Sequence, residues 1–169
     1  MPLVRIDIVE GHSEAEIKAL LHASHRAMLG AFGVPPRDRY QIVTEHPRSH
    51  MVIEDTGLGI ERSDKLVVVQ VITRKRKKKQ KEAFYRLLCE ELERDCGIPP
   101  SDVMVTMVEN RDEDWSFALG RAQFLTRELK WPSNNLLRIP ELGQVRLWYL
   151  ADTGTACGGK HGILSAEDG

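Results

Sequence analysis

The sequence predicts an α+β fold made by duplication: two β-α-β units, a four-stranded mixed sheet and two helices on one face. Three observations predict it. GVPPRD at positions 33–38 is echoed by GIPPSD at 97–102, an offset of 97 − 33 = 64 residues. The same offset lays LVRIDIVE (3–10) on VVVQVITR (67–74), both strand-like, and IVTE (42–45) on TMVE (106–109). It also superposes the helical stretch 13–32 on 77–96. Self-similarity at a fixed offset outweighs a count of propensities, because each copy is one supersecondary unit. The repeat units span about 2–48 and 65–112, inside a domain of residues 1–129.

Pro2 heads the first strand. A proline lacks an N–H and suits a strand's first residue. A small second residue also lets the initiator Met be removed, which leaves Pro2 as a free secondary amine. Such an amine can act as base, acid or nucleophile, since α-amino groups titrate at about 7.7–8.0. The first helix opens on Ser13 and Glu16, an S-x-x-E capping box. Its apolar Ile17, Leu20, Leu21, Met28 and Phe32 recur at helical spacing and make one buried face. Gly33 stands where a left-handed cap belongs, and Pro35-Pro36 prevents continuation.

The second helix repeats this plan with Phe84, Leu87, Leu88 and Leu92, then Gly97 and Pro99-Pro100. A strand–helix–strand unit of this length pairs its strands in parallel with a right-handed crossover. Between the units, HMVIEDTGLGIERS (50–63) reads as a short hairpin-like connection with glycine turns. Residues 130–169 carry scattered Pro, Asn and Gly without a sustained period. They read as an irregular C-terminal extension that packs on a neighbour through Leu147, Trp148 and Tyr149.

Composition narrows the function. With 24 Lys and Arg against 25 Asp and Glu in 169 residues, the net charge is −1, and nothing global draws the chain to nucleic acid or membrane. No apolar run approaches the ~20 residues of a transmembrane helix, and the N-terminus lacks a signal-peptide layout. Cys89, Cys96 and Cys157 include no CxxC pair and read as free thiols of a cytoplasmic protein. His22 and His25 share a helix without an acidic or Cys partner at ligand spacing, so no metal site is expected.

The duplication also places charge. Asp38 begins the second strand and lies beside the Pro2 end of the first. Arg74 and Arg76 end the third strand, roughly 26 Å along it at about 3.3 Å per residue. If the two units packed parallel, the arginines would be out of reach. If the first and third strands run antiparallel, Pro2, Asp38, Arg74 and Arg76 converge. The symmetry-related corner holds Leu66, Asp102 and Glu10, and Leu66 is internal with no free amine. The run RKRKKKQK (74–81), seven cations in eight residues, has a nucleic-acid reading and a plainer one as a solvated strand end and first helical turn. Arg74 and Arg76, two apart, point to the same side and suit a carboxylate, which guanidinium binds bidentately; Lys77–Lys81 continue into helix and water.

These residues resemble a family. Pro2, the β-α-β duplication, FGVPPRDRYQ (32–41), EDTGLG (54–59), ERDCGI (93–98) and VENRDEDWSF (108–117) are similar to the tautomerase superfamily, and more closely to its malonate semialdehyde decarboxylase branch. The resemblance implies removal of Met1, catalysis by Pro2 with Asp38, carboxylate binding by Arg74 and Arg76, and an apolar wall of Trp115, Phe117, Phe124 and Leu129. It implies no metal, no organic cofactor and a homotrimer. The implied activity is decarboxylation of malonate semialdehyde (3-oxopropanoate) to acetaldehyde and CO2. The rivals are a hydratase or keto–enol tautomerase of small unsaturated 2-oxo acids, and a non-enzymatic binding module acting through 74–81 and the tail. The dehalogenase branch has a first-helix histidine where this chain has Met28-Leu29-Gly30, which argues against that activity. The lysines after Arg74 and the tail beyond Leu129 depart from the family pattern.

Overall fold

The structure is a computed structural model that describes residues 1–129; the extension and its Leu147, Trp148, Tyr149 and Cys157 lie outside the described residues. The chain runs β1 (Pro2–Val9), α1 (Glu14–Phe32), β2 (Tyr40–His46), β3 (Val67–Arg74), α2 (Lys78–Cys96) and β4 (Val103–Asn110). The sheet order is β2-β1-β3-β4. Each unit pairs its own strands in parallel, and the units meet through β1 and β3, which run antiparallel with Pro2 opposite Thr73 and Ile8 opposite Val67.

The two helices form as the sequence predicts. Ser13 accepts a bond from the Glu16 N–H while the Glu16 carboxylate accepts one from the Ser13 N–H, closing the capping box. At the far ends Gly33 (φ 60°) and Gly97 (φ 62°) adopt the left-handed conformation that lets each chain turn into its proline pair. Inward residues of the strands (Val4, Ile6, Ile8; Val67, Val69, Val71) meet Leu20, Ala27, Met28, Phe32, Phe84, Leu88 and Leu92 of the helices. Full burial of each large side chain contributes about 1.5–3 kcal/mol. At the crossing of α1 and α2, a Cβ on Gly30 would stand 3.1 Å from Leu87 Cδ1, so the helices approach closely there.

Among the described residues, the opposite face of the sheet carries no helix. Register aligns Tyr40, Leu3, Ile72 and Val108 in one row across all four strands on that face. Ile42 and Met104 extend it, and Tyr40, Ile42, Met104 and Val108 are each about two-fifths exposed.

Two expectations need correction. The 50–63 connection is not a hairpin: a 3-10 turn at Arg48–His50 is followed by irregular chain around Asp55. The Asp55 carboxylate accepts the N–H groups of Gly57 (3.0 Å) and Gly59 (2.6 Å), and this local bonding replaces a ladder. Lys81 does not continue into water but pairs with Glu109 of β4 at 2.6 Å. Among the described residues, no helix is long and apolar enough to cross a membrane.

Candidate active site

The antiparallel meeting of β1 and β3 decides the site. It brings the start of β1 beside the end of β3, the geometry in which the amino terminus, Asp38 and the two arginines converge. Asp38 sits two residues before β2 rather than beginning it, in the turn after Pro35-Pro36, where its N–H bonds the Pro35 carbonyl at 2.9 Å. His25 of α1 steadies that turn: its Nε2 lies 3.1 Å from the Pro36 carbonyl, which can only accept, so this nitrogen carries the proton.

With Met1 in place, Pro2 is held in a peptide bond and the amine in the corner belongs to Met1. That amine stands 3.5 Å from Asp38 Oδ2. The distance is within ion-pair range, yet neither Asp38 oxygen has a hydrogen-bond partner among the described residues, although both are shielded from solvent. Burial pushes the amine below its ordinary value, against the attraction of Asp38 and with the repulsion of Arg76 and Arg74. Burial likewise raises the Asp38 carboxyl, against the amine and Arg76. Both charged forms are thus paired but poorly solvated.

The two arginines differ. Arg76, in the segment between β3 and α2, donates from Nε to the Thr73 hydroxyl at 3.1 Å and lies over the Phe32 ring, 4.7 Å from its centroid. Burial lowers its pKa, partly offset by Asp38. Arg74, the last residue of β3, is gripped at both ends of a carboxylate: Nε to Asp112 Oδ1 at 2.6 Å and Nη2 to Asp112 Oδ2 at 3.1 Å. Its guanidinium also lies 5.2 Å from the centre of the Phe124 ring.

The segment after β4 folds back beside these groups. Trp115 and Phe117 stack at 5.5 Å, Phe117 meets Phe124 edge-on at 5.6 Å, and Tyr40 joins Phe117 at 5.9 Å. Trp115 Nε1 donates to Asn110 at 3.0 Å, and buried Gln123 locks the loop by accepting from the Phe117 N–H and donating to the Ala118 carbonyl. Leu129 is 39% exposed and its N–H bonds the Gln123 carbonyl, closing the last described turn.

Four residues near the site escaped the sequence reading. Phe32 read as part of the buried helix face and Thr73 only as a strand residue, while Tyr40 and Asp112 sat inside quoted motifs without an assigned contact. Only the acid run after β4, so near the paired arginines, could have signalled Asp112.

The opposite end of the sheet holds a different corner. A cavity of about 310 Å³ there is lined by Ile8, His12, Leu20, Val67, Cys96 and Ile98. By the 64-residue offset, Cys96 stands for Phe32 and His12 for Arg76, so smaller groups leave open what a stacked pair fills at the Pro2 end. Among the described residues, no group of three His, Cys, Asp or Glu is placed to hold a metal.

A duplicated β-α-β protomer with an amino terminus, a buried carboxylate and two guanidinium groups at one end of its sheet has the architecture of a tautomerase. The chain belongs to the tautomerase family: family models described as tautomerase enzyme match residues 2–60 and 38–118. The probable tautomerase YrdN of Bacillus subtilis (strain 168) is 53% identical over 76% of this chain and all of its own length. A second probable tautomerase of that organism, YusQ, is 32% identical over 74% of the chain and 99% of its own. Among solved structures, a malonate semialdehyde decarboxylase is similar with a TM-score of 0.74 and 55% identity, covering 76% of this chain and 99% of that one. The FG41 malonate semialdehyde decarboxylase inhibited by 3-bromopropiolate has a TM-score of 0.73 and 37% identity over 77% and 99%.

Proposed function

We propose that the protein, after loss of Met1, decarboxylates malonate semialdehyde to acetaldehyde and CO2 with Pro2 at the centre of the reaction. The observation that carries this reading is the buried, unbonded Asp38 carboxylate beside the chain's amine, with Arg76 interacting with both. The likeness to two decarboxylases supports it, at 55% and 37% identity.

The chemistry follows from charge. When the C–C bond to the carboxylate breaks, its electron pair flows toward the carbonyl and builds negative charge on that oxygen. A protonated Pro2, favoured by Asp38, donates a hydrogen bond to the oxygen and stabilises the enolate. A neutral Pro2, favoured by burial, instead adds to the aldehyde, expels water and forms an iminium that accepts the pair as an enamine. In either route a proton delivered to C2 completes acetaldehyde, and in the second, water returns to release it. Arg76, with Arg74 beside it, orients the carboxylate so that the breaking bond stands perpendicular to the carbonyl plane. Trp115, Phe117 and Phe124 exclude water as charge leaves the carboxylate. The uncovered sheet face with its row of Tyr40, Leu3, Ile72 and Val108 fits a homotrimer that buries it; fused tautomerases sharing only this fold are described as trimers.

Proton NMR with 3-oxopropanoate tests the reading. Acetaldehyde should form above background, fall to background in Pro2→Ala and Asp38→Asn, and accompany an intact mass lighter by one methionine residue. No acetaldehyde from the mature protein rejects the decarboxylase, and retained Met1 removes Pro2 from the chemistry. Borohydride trapping of a Pro2 adduct separates iminium from hydrogen-bond catalysis. A second reading, hydration of an unsaturated oxo acid, is favoured by the Asp38 carboxylate, whose oxygens have no hydrogen-bond partner among the described residues and could activate water. The same NMR assay with 2-oxo-3-pentynoate reads it.

A further inference from the structure

We infer that Asp112 sets the charge of the substrate: by occupying Arg74 it leaves Arg76 as the principal carboxylate anchor and tunes the site to monoanionic oxo acids against dicarboxylates. This rests on the reading that the two arginines face the substrate carboxylate.

The two guanidinium groups are engaged differently. Arg74 spends Nε and Nη2 on both oxygens of Asp112, the bidentate geometry a substrate carboxylate would otherwise take. The Phe124 ring against the same guanidinium further fixes its plane. Arg76 gives one hydrogen bond to a neutral hydroxyl and rests on a ring, so its remaining N–H groups are uncommitted among the described hydrogen bonds. The structure therefore holds one open guanidinium and one already neutralised.

Charge counting gives the selectivity. Arg74, Arg76, Asp38 and Asp112 sum to zero, and the amine adds one positive charge when protonated. One substrate carboxylate balances that charge. A second would meet two protein carboxylates, and among these five groups no unbalanced positive charge would remain to receive it. A neutral far end, such as an aldehyde, lies against the aromatic wall without this cost. Asp112 is accordingly a positioning residue that acts through Arg74, and it need not touch the substrate.

The test uses unreactive probes: 3-hydroxypropanoate as monoanion and malonate as dianion, titrated calorimetrically into the full-length protein at low and high salt. Asp112→Asn removes one negative charge while keeping the side chain's shape. A dianion feels the change twice, so its gain in affinity should be the square of the monoanion's. About threefold for 3-hydroxypropanoate then goes with on the order of tenfold for malonate, shrinking as salt screens the partly exposed pair. Asp112→Glu, which keeps the charge, should retain the wild-type preference. Equal gains for both probes overturn the inference, as does no gain for malonate, or an Asp112→Glu protein that behaves like Asp112→Asn. The readout is independent of the reaction. If the protein makes no acetaldehyde yet shows this preference, only the decarboxylase reading fails; acetaldehyde formation without the preference removes only the role of Asp112.

Discussion

Asp38 and Asp102 occupy the same turn of the two repeats and have opposite surroundings. Each closes its turn with an N–H bond of 2.9 Å to the carbonyl of a proline three residues back, Pro35 and Pro99. Asp102 is fully buried, and its carboxylate accepts the Ser63 N–H at 2.7 Å and the Ser63 hydroxyl at 2.5 Å. Asp38 has no such partner. Where Asp102 meets Ser63, Asp38 meets the Met1 amine, 3.5 Å from its Oδ2.

The two acids should therefore fail in different ways when mutated. Asp102→Ala removes a buried carboxylate and its two bonds to Ser63, and should cost about 1–3 kcal/mol of stability while kcat/KM of the folded protein holds. Asp38→Asn should leave stability unchanged or raised, and lower kcat/KM by about 100-fold or more, the usual scale for acid–base groups. Urea unfolding curves beside initial rates make the comparison. Equal stability losses in both variants would contradict the assignment.

Asp38 also predicts a pH signature with a definite sign. Its carboxyl is raised above the ordinary 3.8 in the folded protein, chiefly by burial. Below 3.8 the group is protonated in both states. As pH climbs from there toward the folded value, the unfolded chain ionises first, and stability falls. Above the folded value the penalty is complete. The stability gap in favour of Asp38→Asn should thus widen through this window and stay flat above it. Urea midpoints across a pH series measure it, and a gap that narrows with rising pH refutes the shift.

Most of the scaffold was legible because duplication is written in one dimension. The offset between Gly33 and Gly97 gives the helix ends, and the Ser13–Glu16 box gives a helix start. The antiparallel joining of β1 to β3 followed only once Pro2, Asp38 and Arg76 were required to meet. What escaped was pairing between segments with no shared local pattern. The bond from Arg74 to Asp112 crosses 112 − 74 = 38 residues, and nothing in the run NRDEDW says which acid turns toward the sheet. The 50–63 segment failed for a related reason. Its glycines signal turns, but whether flanking residues pair as strands depends on partners, and Asp55 satisfied the local N–H groups first.

Phe32 joins the core to the site and should report on both. It stacks on Phe84 with ring centroids 5.3 Å apart and carries Arg76 over its ring. Phe32→Leu keeps an apolar side chain but removes the ring, losing about 0.5–2 kcal/mol of cation–π attraction that orients Arg76. KM for the oxo acid should rise severalfold while kcat changes less. Leu88→Ala, also in the core, should destabilise by about 2–5 kcal/mol and leave KM unaltered below its unfolding temperature. If the two variants affect KM alike, Phe32 only packs and does not position Arg76.

The uncovered sheet face predicts its own occupant. A row of Tyr40, Leu3, Ile72 and Val108, one residue from each strand, is left uncovered by the other described residues, and a second copy would bury its apolar area. Arg5, exposed on the same face between Ile42 and Gln70, requires that the covering surface offer it an acceptor or leave it a wet margin. Val108→Lys would place an unpaired ammonium at the β4 end of the row, where the free protomer tolerates it in solvent and an assembly does not. Sedimentation equilibrium should give three times the protomer mass for wild type and a protomer for the variant, with helix content retained by circular dichroism. Since the face lies opposite the helices, an assembled Val108→Lys protein would mean that copies meet elsewhere and that this row serves a different partner.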